Sequence, residues 1–221
     1  KIQVQSDGGL IVAIISNATT IADAGTVNGL GSLIFIKSIN LSSAASNITF
    51  IHGTSSVVFD STYKVYLFVY TNIHPASHNP DAVGGFNINV TTDGSNFNIA
   101  KTTNTLASYH AKDDSAAGAG LNATNSRGND TGVVPLAGQV HTGNTDAVSG
   151  HMFFFDPANT TFVKHFLAEN ARSDFSVREY ANHQIVSGYA NTTSAVTGIQ
   201  FTAWSGNIDD GTISLYGIKD S

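Results

Sequence analysis

The chain has 221 residues, no cysteine and a formal net charge of -6, so it can bury a sizeable core without disulfides and offers no thiolate metal ligands. The few Lys and Arg residues are scattered, which leaves no basic footprint for a phosphate backbone. Charged residues are only 12% against 41% hydrophobic, so polarity is carried by Ser, Thr, Asn and Gly, the vocabulary of strands and turns.

The run Leu10–Ile15 reads as a first strand, too short to cross a bilayer and without the basic cluster of a secretory leader before it. Together with the turn-rich connection after it, it makes an N-terminal arm over 1–29. Short strands are expected at Leu33–Ile36, Asn47–His52 and Val57–Phe59. The longest strand-forming run follows at Thr62–Tyr70. With a period of two, Tyr63, Val65, Leu67 and Val69 share one face, and Lys64, Tyr66, Phe68 and Tyr70 the other. Both faces are largely apolar, so the strand belongs inside a sheet covered on both sides.

Gly85–Val90, the turn at Asp93-Gly94-Ser95 and Phe97–Ala100 predict a hairpin. From Ala111 to Gly150 the pattern dissolves into a long Gly/Ala/Asn-rich loop, an excursion expected to project from the domain. Strands are predicted again at His151–Phe155 and Thr161–Leu167. The segment Ala168–Asn182 is left as a short helix or a loop. Strands at Gln184–Tyr189, Val196–Trp204 and Thr212–Ile218 end the chain. Closely spaced strands without a helix of normal length give one all-β domain over 1–221, an antiparallel sandwich or barrel.

Candidates for chemistry are few. His74 and His78 have the i, i+4 spacing of a helical metal pair, but Pro75 and Pro80 deny them the helix, and no metal or cofactor is assigned. His165 is expected as a hydrogen-bonded core histidine. The only glutamates, Glu169 and Glu179, lie in the ambiguous segment. Asp93, Asp146, Asp156, Asp209 and Asp210 all adjoin turn residues, where Asp caps backbone amides, and Asp113 with Asp114 fits the same role. Paired carboxylates for glycan hydrolysis are therefore not assigned, and the chain reads as no enzyme.

Surface recognition is what remains. In the penultimate strand Ile199, Phe201 and Ala203 face inward, which turns Trp204 outward; Ile213 and Leu215 likewise oppose Tyr216. Trp204 and Tyr216 are the candidate binding residues: an outward amphipathic aromatic stacks on a sugar, locks a subunit contact or covers its own sheet edge. Tyr66, Phe68 and Tyr70, taken as the outward set of the long strand, are the candidate contacts of a homo-oligomer, because three large side chains left in water form a sticky patch.

Three stretches resemble a known family: Ser61–Leu67 with its Thr-Tyr-Lys, Asn191–Ile199 with Asn-Thr-Thr-Ser-Ala-Val, and Ser205–Lys219 with Gly-Thr-Ile-Ser-Leu-Tyr-Gly-Ile-Lys. In this order they resemble a family of tailed-bacteriophage virion structural proteins, of the marine and cyanobacterial phage type, over roughly residues 30–219. The resemblance implies a jelly-roll-like sandwich on the virion surface, without assigned activity. It also implies a homotrimer in contact with other virion proteins, as a tail or head fibre or baseplate module with host-surface glycan as a further partner. A capsid decoration protein and a free-standing lectin or adhesin are the alternatives.

Overall fold

The computed structural model describes residues 14–16, 19–23, 26–27, 32–76, 85–140, 146–174 and 180–219. Two compact units divide the chain, 1–33 with 221 and 34–220; the expected arm over 1–29 falls within the first. There β1 (Ile14–Ser16), β2 (Thr19–Asp23) and β3 (Thr26–Val27) pair antiparallel in that order. Residues 10–13 of the expected first strand lie outside the described residues.

The second unit is an antiparallel β-sandwich with no helix among the described residues. Its strands are β4 (Leu33–Asn40), β5 (Ile48–Ile51), β6 (Val65–Pro75), β7 (Phe86–Thr91), β8 (Lys101–Ala111), β9 (Ala117–Leu121), β10 (Arg127–Asp130), β11 (Val134–Ala137), β12 (Val148–Phe155), β13 (Lys164–Asp174), β14 (Tyr180–Ala190), β15 (Gly198–Ala203) and β16 (Ile208–Ile218). One sheet has nine strands in the order β10-β8-β14-β13-β12-β6-β16-β4, with β9 also on β8, and the other four, β11-β7-β15-β5. Without β8–β10 and β13–β14, the rest form two matched layers, β12-β6-β16-β4 over β11-β7-β15-β5. That is the strand order of a jelly roll. The two insertions extend one layer only, so the larger sheet overhangs the smaller.

Rings fill the space between the sheets. On β6, Tyr66, Phe68 and Tyr70 are 0, 0 and 1% exposed. Phe68 meets Phe50 and Phe201 edge-on or tilted at 5.4 Å each, and Tyr70 meets Phe86 at 5.0 Å. This corrects the assignment of Tyr66, Phe68 and Tyr70 to an oligomer contact: they belong to the unit's own core. Alternation separates the two faces of β6 but does not say which is inner. The bulkier set is inside because sheets about 10 Å apart must be bridged by long side chains. Val65, Leu67 and Val69, only half-buried, form the outer set.

Four further expectations are corrected. Residues 111–140 and 146–150, the described part of the expected loop, do not simply project: they contain β9, β10 and β11, and Val134, Leu136, Ala137 and Val140 are core residues, while 141–145 lie outside the described residues. Val134 and Leu136, isolated in the sequence, help anchor it, whereas Leu121 is 64% exposed. Phe97–Ala100 is not a strand, and β7 pairs with β11 and β15 instead of closing a hairpin. Val57–Phe59 is irregular, with Val57 and Phe59 buried. The ambiguous segment 168–182 is neither helix nor loop in its described part, because β13 and β14 pair along their whole length, from Lys164↔Ala190 to Asp174↔Tyr180.

Candidate functional site

The overhang creates a concave site. Every second residue of β8, β13 and β14 faces the smaller sheet, and as far as β11 reaches these positions are covered. There Asn170 and Gln184, 2 and 0% exposed, each donate an amide hydrogen bond of 2.8 Å to the Leu136 carbonyl of β11. The Tyr70 hydroxyl donates to the Asn170 amide oxygen. Two residues further along, past the end of β11, the cover thins on the β8 side, where Tyr109 is 42% exposed. Arg172, Asn182, Tyr109 and Gly118 lie there in one cross-strand row, in register from β13 through β14 and β8 to β9.

This row floors a cleft of about 510 Å³, walled by Asn122, Gln139 and the β9 backbone and closed at one end by Tyr180. The Tyr109 and Tyr180 rings meet edge to face at 5.2 Å. The Tyr109 ring lies on Gly118, where a Cβ would stand 2.9 Å from it and push the ring aside. Gly120, two residues on and on the same face, has open space where its Cβ would be. Arg172 and Asn182 are each 8% exposed, whereas Tyr109 is 42% exposed. A buried guanidinium, a buried amide and an accessible aromatic pair thus line one opening.

The residues singled out in the sequence are dispersed. Trp204 follows β15 of the smaller sheet and is 38% exposed; Tyr216 lies on the outer face of the larger sheet, edge-on to Phe35 at 5.7 Å. They are on opposite sides of the sandwich, and no joint site forms. His74 Nδ1 is 2.5 Å from Asp209 Oδ1, while His78 lies outside the described residues. Among the described residues no group of three or more His, Cys, Asp or Glu side chains could hold a metal ion. His165 is corrected: it is exposed on the outer face of β13, its ring 5.9 Å from that of Tyr189. Glu169 is on the same outer face, with its Oε1 2.8 Å from His183 Nε2, and Glu179 lies outside the described residues.

Other buried ionisable groups close turns. Lys101 and Lys164, both 0% exposed, flank Ala190 in register from either side. The Lys101 ammonium donates to the carbonyls of Ile99 (2.7 Å) and Thr131 (3.1 Å) and to the Asn89 side-chain oxygen. Lys164 donates to the Phe162 carbonyl at 2.5 Å and those of Thr192 and Thr193 at 3.4 Å. Burial pulls Lys101 down to about 8 and lowers Lys164 as well. Asp93 is a turn cap: its carboxylate accepts from the amides of Ser95 and Asn96 at 2.9 and 2.7 Å, which holds it well below the usual carboxylate range.

The cleft residues escaped the sequence reading because Arg172 and Asn182 lie in the segment left unassigned. The signal was present. Continuing the period of two from Phe166 through Ala168, Asn170 and Arg172 puts polar residues at core-facing positions, which marks a strand whose inner face leaves the core.

No protein-family model, curated protein or solved structure matches the chain.

Proposed function

We propose that this chain is a non-enzymatic structural protein of a bacteriophage particle, a surface module of a tail or head fibre or baseplate that works as a homo-oligomer. The observation that carries the reading is the outer face of the nine-stranded sheet. Tyr216, Leu67, Phe153 and Leu167 stand there in one cross-strand row, and Ile185, Leu106 and Leu121 in the next. Phe35, Leu106, Leu121 and Leu167 are 59, 50, 64 and 40% exposed. Eight strands about 4.8 Å apart, each presenting about 20 Å of length, offer roughly 760 Å², close to one partner's share of a standard stable interface. The face also carries Ser187, Asn104, Glu169 and His183, so its apolar rows are patches within it, and exposed apolar rows of this kind mark an interaction surface.

Jelly rolls serve in viral shells and lectins alike, so the virion assignment is supported by the Thr-Tyr-Lys, Asn-Thr-Thr-Ser-Ala-Val and Gly-Thr-Ile-Ser-Leu-Tyr-Gly-Ile-Lys resemblance, which also supplies the trimer. A free-standing carbohydrate-binding protein is the second reading, favoured by the cleft. Quantitative mass spectrometry of purified phage particles, with light scattering of the isolated chain, tests the first. The expected results are a few to tens of copies per particle and a trimer. Hundreds of copies would mean decoration of the capsid, and absence from particles would overturn the virion assignment.

A further inference from the structure

We infer that Lys101 and Asn89 join covalently in the folded chain, the lysine nitrogen displacing ammonia from the carboxamide to leave an amide cross-link between β8 and β7. The chemistry requires neither the virion nor the glycan reading.

The two residues come from different sheets, Asn89 from β7 of the four-stranded sheet and Lys101 from β8 of the nine-stranded one, and they are 6 and 0% exposed. The Lys101 ammonium directs its N–H bonds to the Ile99 and Thr131 carbonyls and to Asn89 Oδ1. Loss of one proton leaves two N–H groups for the two carbonyls. The lone pair then lies where the third N–H was, toward the Asn89 carboxamide. Lys164 provides the contrast: it is equally buried, but it donates to the main-chain carbonyls of Phe162, Thr192 and Thr193, none of which can be exchanged without breaking the chain.

The surroundings of Asn89 suit the exchange. Its Oδ1 accepts from the Val90 N–H at 2.9 Å, a main-chain donor that stabilises negative charge on that oxygen as a tetrahedral adduct forms. Its Nδ2 donates to the Phe97 carbonyl at 2.7 Å and to the Thr131 carbonyl at 3.4 Å, and the same Thr131 oxygen accepts from Lys101 Nζ at 3.1 Å. Nucleophile and leaving group thus meet at one oxygen. The neutral Nζ attacks Asn89 Cγ and a C–N bond forms; a proton passes from Nζ to Nδ2; the Cγ–Nδ2 bond breaks and ammonia leaves, with no oxidant or cofactor consumed. Burial, which pulls Lys101 down to about 8 while Asp130 and Arg127 act on it in opposite directions, keeps part of the amine neutral at ordinary pH. Fixing the two groups in contact replaces an encounter that is very slow between free amines and amides. In a chain without cysteine, such a link ties the sheets together where no disulfide can.

The test follows the intact mass of the full chain for days, folded and in urea, at pH 7 and pH 9. The folded chain is expected to be about 17 Da lighter than its sequence, by one ammonia, either at purification or after incubation, and none of the link should form in urea. Any unreacted fraction should convert about tenfold faster at pH 9 than at pH 7, because the amine is then mostly neutral. Trypsin should no longer cut after Lys101, and fragmentation of the resulting peptide should release no break between Asn89 and Lys101. Lys101→Met should keep its full mass; since an unfolded variant would do the same, the wild-type peptide map decides. Linked chains lose the titration of Lys101, so any alkaline gain in stability from this residue belongs to chains that have not yet reacted. A folded chain that keeps its full mass overturns the inference, as does equal loss of ammonia in urea. So does a lighter chain still cut after Lys101, which is the mark of a succinimide at an asparagine.

Discussion

Lys101 shows how one residue ties stability to pH. Its ammonium closes two turns at once, through Ile99 and Thr131, from a fully buried position. The unfolded lysine keeps its proton to about pH 10.4, whereas the folded one, at about 8, releases it earlier. Between those values unfolding takes up a proton, so stability should rise with pH from about 8 to about 10, by at most on the order of 3 kcal/mol. Lys164 acts in the same direction. Tyr66, pushed up to about 12 by burial, and Tyr70, pushed up likewise, then oppose the trend: unfolded tyrosines ionise first, and stability should fall above pH 10. Urea titrations between pH 7 and 11 should show this maximum. In Lys101→Met the rise from pH 8 should shrink, with stability at pH 7 lowered by about 1–3 kcal/mol for the carbonyls left without a donor. An unchanged slope would mean that Lys101 keeps its proton throughout.

At the scale of elements, the β13–β14 hairpin is joined to the jelly roll through side-chain amides as well as apolar packing. Asn170 and Gln184 converge on the single Leu136 carbonyl, which keeps one donor when either amide is lost, so removing both should cost more than the sum of the single losses. Asn170→Ala and Gln184→Leu are each expected to lose about 1–3 kcal/mol in urea unfolding, and a strictly additive double variant would show that the two amides act independently. These elements also mark the limit of what could be read from the chain. The inward faces of Ile199, Phe201 and Ala203 and of Ile213 and Leu215 were legible, because alternation is clean where one side is buried and the other wet. The hairpin was not, because its inner face carries Asn170, Arg172, Asn182 and Gln184, which look like surface residues until β11 and the cleft are placed beside them. The short strands within 111–150 were hidden for the same reason: β9 is Ala-Gly-Ala-Gly-Leu, with almost no side chain to alternate. For β6 both faces were legible as apolar, and only the second sheet decided between them.

At the scale of the whole molecule, the two faces of β6 make opposite predictions. Phe68→Ser places a hydroxyl among Phe50, Phe59 and Phe201 and should unfold the sandwich. The double change Leu67→Ser with Phe153→Ser alters the outer row and should yield folded monomers, with light scattering reporting mass and circular dichroism reporting fold. A double variant that stays oligomeric would remove this face from the contact. The uneven layers have a kinetic consequence too. β12, β13 and β14 form an uninterrupted meander of neighbours in sequence, whereas β6 and β16, paired in the sheet's other half, come from far apart in the chain. Closing short loops costs less entropy than closing long ones, so the meander should form first and template the rest. Pulse-labelled hydrogen exchange during refolding should protect the amides of Phe166–Ala171 and Gln184–Gly188 before those of Ile213–Gly217. The inserted hairpin that carries half of the cleft would then also be the place where the jelly roll starts to fold, and simultaneous protection of all three segments would argue against it.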